Sequence, residues 1–294
     1  MVNLMRMRPL LFFAGVLGLG AQPKPYGEMV KLGGHAVHLH CEGSGDVTVL
    51  LLHGTPRFSF HFALLQPKVA RFARVCVYDR AGDAWSAPIP GQPTVAIFVD
   101  ELDRVIRHVS AVRPVVLAGH SVGGVLARAY FARHPERVAA MVLIDTAPLQ
   151  LPSAAPPRRR PAAPPPTLKT PFDKLPARFH AAHLWATAKW QAYAATVDLE
   201  QAAQYQAELY RWAALATSAT LPVWFLARAA TADGAERWVE TQQRMVWPQN
   251  GGEPSVCESR RAGMTFNWIN RPRRLRQSSK RRVQRERMPN NTDN

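Results

Sequence analysis

The sequence has only three cysteines, Cys41, Cys76 and Cys257, in 294 residues. Their spacing matches neither a zinc-binding motif nor a framework of disulfides. Cys76 lies in an apolar run that predicts a core strand, where a free cysteine behaves as a small apolar side chain. A single bridge between Cys41 and Cys257 is conceivable in an exported protein, although no feature of the sequence favours it. We therefore predict neither a metal site nor a disulfide framework.

Long apolar runs are also scarce, which limits how the chain can meet a membrane. A spanning helix needs roughly 20 apolar residues, and the run Leu10–Gly20 is shorter than that. The run follows Arg6 and Arg8 and ends on small residues, which is the layout of a secretory signal peptide. The pattern predicts a signal peptide over residues 1–21, a periplasmic or secreted protein and no stable membrane insertion. A cytoplasmic or membrane-associated protein is the alternative.

Acidic residues are few, because 21 Asp and Glu oppose 37 Lys and Arg and leave a formal net charge of +16. The excess is concentrated at the end of the sequence, where residues 251–294 hold eleven basic and four acidic residues. Neither this segment nor the triplet Arg158–Arg160 carries the interleaved aromatic residues of a nucleic-acid-binding module. We expect a disordered basic tail over residues 248–294 and no specific nucleic-acid partner.

The order of apolar segments predicts the fold class. Four short runs are apolar on both faces, as the strands of a buried parallel sheet are: Val47–Leu52, Val75–Tyr78, Val115–Ala118 and Val138–Ile144. Segments of helical period alternate with them, at Phe60–Phe72, Val95–Val109 and Gly124–His134. This alternation predicts an α/β fold with a doubly wound, mostly parallel sheet. A hairpin formed by Val30–Leu32 and Ala36–His40 precedes it.

Changes of composition divide the chain. Residues 22–147 form the first part of the predicted α/β core. Residues 148–218 begin as a proline-rich linker and continue as a helical stretch rich in aromatic residues, which predicts a helical lid over the sheet. Residues 219–247 complete the predicted core with one strand and one helix.

Three histidines, His35, His38 and His40, alternate along one predicted strand. His38 and His40 would share a face of that strand, but no carboxylate or cysteine joins them to complete a metal site. We therefore expect these histidines at the surface or at the rim of a cleft.

The main chemical signal is the run 119–123, Gly-His-Ser-Val-Gly, which matches the G-x-S-x-G pattern of a nucleophile elbow. A predicted strand precedes the run and a predicted helix follows it, as the pattern requires. A serine in a strained turn between these elements needs Gly119 and Gly123 beside it, because a Cβ would block their approach. Ser121 is therefore the predicted nucleophile, at the positive end of a helix that stabilises an oxyanion.

Together with three further motifs, this run resembles the α/β-hydrolase superfamily. In chain order the motifs are 53–56 (His-Gly-Thr-Pro), 78–82 (Tyr-Asp-Arg-Ala-Gly), 119–124 (Gly-His-Ser-Val-Gly-Gly) and 142–145 (Val-Leu-Ile-Asp). The resemblance covers about residues 30–147 and one later strand. It implies an oxyanion hole formed by the backbone N–H groups of Thr55 and Val122, structural roles for His53 and His120, and no metal or organic cofactor.

A serine at the elbow implies acyl transfer through a covalent acyl-serine, whereas the dehalogenase and epoxide-hydrolase branches use a carboxylate. The first hypothesis is a serine hydrolase of the esterase or lipase-like kind, acting on a small, partly apolar, ester-like substrate. Amidase, lactonase and carbon–carbon hydrolase chemistry stay open. The pattern predicts no oligomeric state.

The catalytic histidine of the superfamily is missing from this pattern. That residue follows the last strand of the sheet, but no histidine follows His183 in this sequence. His180 and His183 belong to the predicted lid and are poor substitutes. The acid of the triad is open as well, because Asp145 follows one predicted strand and Asp233 follows another. Of the two we favour Asp145.

The codons permitted from residue 263 onwards offer a reason for the missing histidine. Read one base earlier, they can encode Gly-His-Asp-Ile-Gln-Leu-Asp-Gln-Pro-Ala, which resembles the terminal histidine motif of the superfamily. We therefore hypothesise a frameshift, genuine or a sequencing error, between about Trp238 and Arg261. One competing hypothesis is a hydrolase fold kept as a binding protein without turnover. Another is association with anionic polymers or membrane surfaces through the basic tail.

Overall fold

A single sheet organises the fold. The computed structural model describes residues 21–89, 93–146, 163–169, 171–216 and 221–228, together with the backbone of residues 255–259 and 264–269. Within these ranges the strands are β1 (Glu28–Leu32), β2 (His35–Glu42), β3 (Thr48–Leu52), β4 (Arg74–Tyr78), β5 (Val115–His120), β6 (Val138–Ile144), β7 (Val223–Arg228), β8 (Ser255–Ser259) and β9 (Met264–Ile269). The α-helices are α1 (Gln66–Val69), α2 (Val95–Val109), α3 (Val122–Arg133), α4 (His180–Thr196) and α5 (Leu199–Ala214). The strands lie in the order β1-β2-β4-β3-β5-β6-β7-β9-β8.

The middle of the sheet is parallel. Strands β4, β3, β5, β6 and β7 run in one direction, each hydrogen-bonded to the next. The antiparallel strands β2 and β1 extend this run on one side, and β9 and β8 extend it on the other. Side chains on both faces of the central strands are buried, as at Leu50, Leu51 and Leu52, because the sheet is covered on both faces. The predicted α/β fold, with its mostly parallel core and its entering hairpin, is confirmed.

Helix α2 covers the sheet through the apolar face that its sequence predicts. The helix begins after Thr94, whose side chain accepts a hydrogen bond from Ile97 N over 3.2 Å. Val99, Leu102 and Ile106 are completely buried and join the main core. No helix in the described part of the chain is long and apolar enough to span a bilayer.

The helical stretch after the proline-rich segment divides into two helices with different neighbours. Helix α5 packs against α3 and joins the main core through Leu209. Helix α4 instead contributes Ala182 and Ala186 to a separate cluster with Phe60 and Trp85, which lie in the loops after β3 and β4. Helix α4 therefore covers the edge at which these parallel strands end. Residues 147–162, in which most of the predicted linker falls, lie outside the described residues.

The predicted helix Phe60–Phe72 differs in the structure. Here a 3-10 turn at Ser59–Phe62 is followed by the single-turn helix α1. Pro67 occupies the first turn of α1, and because it has no N–H group it cannot continue a helix from the preceding residues.

Strands β8 and β9 lie where the sequence composition predicts a disordered tail. They pair with each other, and β9 also pairs with β7. Apolar and polar residues alternate from residue 264 to 268, Met-Thr-Phe-Asn-Trp, which is typical of a strand. The basic composition of the surrounding segment nevertheless predicts disorder there. The remainder of the predicted tail and the predicted signal peptide, apart from residue 21, lie outside the described residues.

Cys41 and Cys76 form a disulfide, which the sequence did not predict. The two residues face each other on the antiparallel strands β2 and β4. The two cysteines can bond because β4 lies between β2 and β3 in the sheet. A sequence separation of 35 does not reveal this strand order, so the disulfide could not be predicted from the cysteine spacing. The expectation of a free Cys76 is therefore wrong. A bridge from Cys41 to Cys257 is excluded, because Cys41 is already bonded.

Candidate active site

Ser121 occupies a sharp turn between β5 and α3. Its backbone angles are φ 52° and ψ −124°, which residues other than glycine seldom adopt. Ser121 N donates a hydrogen bond to Ile144 O over 2.9 Å, and this bond ties the turn to the end of β6. The serine of the G-x-S-x-G run thus has the strained backbone of an elbow, and strain of this kind clusters at functional sites.

Glycines at positions 119, 123 and 124 make this turn possible. A Cβ on Gly119 would lie 2.5 Å from Gly124 Cα, so that a side chain there would separate strand from helix. A Cβ on Gly123 would collide with Leu52 O on β3, and one on Gly124 would collide with the Thr146 hydroxyl. The start of α3 can therefore pack closely against β3, β5 and the end of β6 only because these three positions have no side chain.

The loop after β3 passes beside the serine. A Cβ on Gly54 would lie 3.0 Å from Ser121 Cβ and 3.0 Å from His120 Nδ1. Thr55 follows in the same loop, and Val122 is the first residue of α3. Within the described part of the chain, no backbone carbonyl accepts a hydrogen bond from Thr55 N or Val122 N. Neither N–H group therefore has a backbone acceptor among the described residues, which is a requirement for a donor to an oxyanion.

Arg80 holds this loop in place. Its Nη1 donates to His53 O over 2.5 Å, and its Nη2 donates to Gly54 O over 3.1 Å and to Thr55 Oγ1 over 3.3 Å. The Asp83 carboxylate lies 3.2 Å from Nη2. Arg80 therefore joins the loop after β3 to the loop after β4. The sequence motif contains Arg80, but its partners come from a loop more than twenty residues earlier, and no local pattern predicts them.

A second network, centred on Asp79, connects the same two loops to β2. The buried Asp79 carboxylate accepts hydrogen bonds from Ser59 N over 2.8 Å and from Ser59 Oγ over 3.0 Å. Its Oδ2 also lies 2.8 Å from His38 Nδ1. His35 Nε2 is likewise 2.8 Å from the carboxylate of Glu101 on α2. Burial raises the pKa of Glu101, and the hydrogen bond from His35 opposes that rise.

The expectation that His35 and His38 lie at the surface or at a rim is therefore wrong, because both side chains are buried. Their partners Glu101 and Asp79 are 66 and 41 residues distant in sequence, so the local pattern did not contain them. Among the described residues, no group of three or more His, Cys, Asp or Glu side chains is placed to hold a metal ion.

His53 is buried below the same loop. Its Nδ1 lies 2.9 Å from Gly54 O, and Arg80 N donates to its Nε2 at 3.5 Å. Burial lowers the pKa of His53 well below its usual value, and the charge of Arg80 lowers it further. With both ring nitrogens engaged, a neutral His53 supports the loop rather than exchanging protons with a substrate.

A pair of imidazoles joins the loop after β3 to α4. Phe58 N donates to His61 Nδ1 over 3.0 Å, so His61 carries its proton on Nε2 and donates it to His183 Nδ1 over 3.1 Å. The Phe172 ring stacks on His183 with 4.3 Å between ring centroids. Burial, with His183 and Arg57 nearby, lowers the pKa of His61 to about 2. The pair is therefore uncharged at neutral pH and holds α4 over the loop.

A model of the alpha/beta hydrolase fold family matches residues 47–250, a range that contains the elbow and both loops. The chain belongs to the α/β-hydrolase fold family. It is 27% identical over 126 residues to a cis-3-alkyl-4-alkyloxetan-2-one decarboxylase of Shewanella oneidensis, across 42% of this chain and 39% of that protein. It is 30% identical over 130 residues to a 2-hydroxymuconate semialdehyde hydrolase of a Pseudomonas species, across 43% of this chain and 45% of that protein.

The chain spans less than half the length of the curated relatives it matches. Among solved structures, a mutant epoxide hydrolase of Vigna radiata aligns with a TM-score of 0.38 at 25% identity, over 40% of this chain and 37% of that one.

The two candidate acids of this α/β-hydrolase fold differ in their placement. Asp145 directly follows β6, has φ 43°, and donates from its backbone N to Leu226 O over 2.7 Å. It therefore lies at the same edge of the sheet as Ser121, one strand away. Asp233 lies outside the described residues.

No imidazole of the described residues is hydrogen-bonded to Ser121 Oγ. His183 is bonded to His61, and His180 Nε2 lies 2.8 Å from Leu175 O. His120 precedes the serine, and its ring lies beside Gly54. In the described part of this α/β-hydrolase fold, Ser121 thus lies on a strained turn beside Gly54, and no histidine is hydrogen-bonded to its hydroxyl.

Proposed function

We propose that this protein is a serine hydrolase that acts on a small ester-like substrate through an acyl-serine intermediate. The observation that supports this best is the elbow of Ser121, with φ 52°, beside the N–H groups of Thr55 and Val122. Acyl transfer needs a nucleophile and oxyanion donors in this relation. The family match supports the same chemistry, and one of the relatives is itself named a hydrolase.

In the proposed reaction Ser121 Oγ attacks the acyl carbon, its proton passes to a base, and the carbonyl oxygen becomes an oxyanion held by the two N–H groups. The bond between the acyl carbon and the leaving oxygen then breaks, and the leaving oxygen takes up that proton. Water, deprotonated by the same base, attacks the acyl-serine. The free acid leaves, and the proton returns to Ser121. Asp145 or Asp233 orients the base.

The base itself is proposed from the alternative reading frame, because no histidine follows His183 in the sequence. A frameshift between about Trp238 and Arg261 would restore a Gly-His-Asp run at position 263. Well-studied serine hydrolases lose about a millionfold in turnover without their base, so we expect this chain as written to be impaired. The coding DNA for residues 235–294 tests the frameshift. An open frame with a histidine codon there supports it, and a closed frame refutes it.

A binding protein with the same cleft is the second candidate. The lack of a histidine after His183 favours it, since the elbow and the N–H groups would still bind an acyl compound without turning it over.

We also propose that the protein is exported, as its first 21 residues predict. The disulfide between Cys41 and Cys76 supports this proposal, because disulfides persist mainly in oxidising compartments outside the cytoplasm.

Labelling with a fluorophosphonate probe tests the nucleophile. We expect the full chain to be labelled on Ser121, slowly where the base is lacking, and Ser121→Ala to take up no label. Ser110→Ala is the matched control, because Ser110 Oγ bonds to Arg113 O on the surface, and its label should equal that of the parent chain. Saturable binding of an ester analogue by a chain that is never labelled would favour the binding protein.

A further inference from the structure

Arg57 is a partly buried guanidinium without an acidic partner. It lies two positions after Thr55, in the loop that carries one of the proposed oxyanion donors. Its Nη1 donates to Pro56 O over 2.7 Å, and its guanidinium carbon lies 4.9 Å from the centre of the Phe172 ring. In the described part of the chain no Asp or Glu forms an ion pair with it, and burial lowers its pKa with no carboxylate to oppose the change.

The neighbouring Arg80 shows how this fold satisfies a guanidinium when the role is structural. Arg80 contacts three loop oxygens and the Asp83 carboxylate. Arg57 has five N–H donors as well, yet among the described residues its one protein acceptor is the Pro56 carbonyl. Most of its donors therefore have no acceptor among the described residues, at a position that is partly withdrawn from water.

The charges that act on His61 and His183, the two imidazoles next to Arg57, come from basic groups. The charge of Arg57 lowers the pKa of His61 and that of His183, and the further neighbours that act on these two imidazoles are His120 and His180. In the part of the chain that the structure describes, no acid acts on Arg57, His61 or His183.

Such a guanidinium matches one class of ligand. A partly desolvated cation with unused donors gains free energy when an anion binds to it. The planar fork of an arginine fits a carboxylate with two parallel hydrogen bonds. The Phe172 ring beside the guanidinium restricts its orientation, so less conformational freedom is lost on binding.

We propose that Arg57 binds a carboxylate carried by the substrate, so that the preferred substrates are acyl compounds with a free acid group, such as half-esters of short dicarboxylic acids. This inference rests on the proposed function for the position of the acyl group, next to Ser121 and Thr55. Two residues of chain span at most about 7 Å. We therefore expect a short carbon chain between the carboxylate and the scissile ester of the substrate.

Two matched probes test the inference on the full chain by titration. Monomethyl glutarate has one ester and one carboxylate, and dimethyl glutarate masks that carboxylate. We expect the monoester to bind at least tenfold more tightly. Arg57→Gln should abolish this preference, and Arg57→Lys should keep part of it. Arg178→Gln is the control, because Arg178 also lies over an aromatic ring, 4.8 Å from the centre of Phe179, but is exposed; it should keep the full preference.

Equal affinity of the parent chain for both probes would overturn the inference, and so would an undiminished preference in Arg57→Gln. The fluorophosphonate experiment separates this result from a failure of the proposed function. A preference for the monoester in a chain whose Ser121 is never labelled keeps the carboxylate site within a binding protein. Labelling of Ser121 without that preference refutes the carboxylate site and leaves the hydrolase.

Discussion

Arg80 illustrates, at the scale of single residues, how the site depends on contacts between loops that are distant in sequence. Its guanidinium reaches two backbone carbonyls and one hydroxyl of the loop after β3, and one carboxylate of its own loop. A planar cation with donors on both ends can hold all four oxygens at once. An ammonium group, which is a single point charge, cannot do so.

Arg80→Lys is therefore expected to lower the free energy of unfolding by about 1–3 kcal/mol, since buried carbonyls lose their donors. It should also slow fluorophosphonate labelling of Ser121, because Thr55 is no longer held. Urea unfolding and labelling time courses measure the two effects. Arg113→Lys is the matched control, because its pair with Asp46 is exposed, and a change below about 0.5 kcal/mol is expected. An Arg80→Lys chain indistinguishable from this control would contradict the assigned role.

The residues of the candidate site differ in how well their positions and contacts can be predicted from the sequence. Ser121, Gly119 and Gly123 were predictable because an elbow is a local structure, and its glycines are required within five consecutive positions. The partners of Arg80 and of His38 were not predictable, because they are set by the order of strands in the sheet. The same reason explains why buried histidines of β2 looked like surface residues in the sequence.

At the scale of helices and strands, the disulfide between β2 and β4 is the clearest consequence of the strand order. Cys41 and Cys76 lie opposite each other at a sequence separation of 35. In the chain-entropy model a loop of this size stabilises a fold by about 3–4 kcal/mol. The disulfide also ties β2, which carries His35 and His38, to β4, the strand that Asp79 directly follows.

Reduction of the disulfide is expected to lower the melting temperature, and a Cys41→Ala, Cys76→Ala double variant should melt at the lower temperature with or without reductant. Thiol titration of the denatured, unreduced chain should find one free thiol, that of Cys257. Three free thiols would contradict the bond. A Cys257→Ser variant is the control, and its melting temperature should respond to reductant as the parent chain does.

The helices that follow the proline-rich segment were predictable in type but not in position. The sequence between about Phe172 and Thr217 predicts helix throughout, and α4 and α5 lie there. Both helices are rich in aromatic and alanine residues, so the pattern could not separate the one that covers the strand ends from the one that packs on α3. That distinction depends on neighbours from other parts of the chain.

At the scale of the whole molecule, the buried titratable groups of the described residues predict how stability responds to acid. Burial lowers the pKa of His53, His61 and His183, and raises that of Glu101 and that of Asp83, the latter to about 6. Unfolded imidazoles take up protons below about pH 6.5 while the folded ones stay neutral, so stability falls as the pH is lowered. The two carboxyls oppose this between about pH 4 and 6, where the folded state binds more protons than the unfolded state.

The destabilisation from the three histidines is expected to exceed the stabilisation from the two carboxyls, and it begins at a higher pH. The melting temperature is therefore expected to fall between pH 7 and pH 5.5. Thermal unfolding monitored by circular dichroism measures the effect. His61→Gln should flatten the dependence, and His108→Gln, at an exposed position of α2, should leave it unchanged. A melting temperature that rises on acidification would show that the carboxyls dominate.

The fold as a whole was the most predictable level. Alternating buried strands and amphipathic helices are periodic over many residues, and four motifs in order narrow the topology to one superfamily. Strands β8 and β9 are not predicted from the sequence, because the basic composition of residues 251–294 favours disorder over the strand pattern at residues 264–268.

Strand order also has a consequence for biosynthesis. Strands β1, β2, β4 and β3 are neighbours in the sheet, and all of their residues lie between Glu28 and Tyr78. A ribosome delivers this four-stranded unit, with both of its bonded cysteines, more than forty residues before it reaches Ser121. If the chain crosses a membrane amino end first, Cys41 and Cys76 both reach the oxidising compartment before Ser121 does. The disulfide can then form before the segment with the nucleophile has been translocated. The nucleophile would then join a part of the sheet that is already cross-linked by the disulfide.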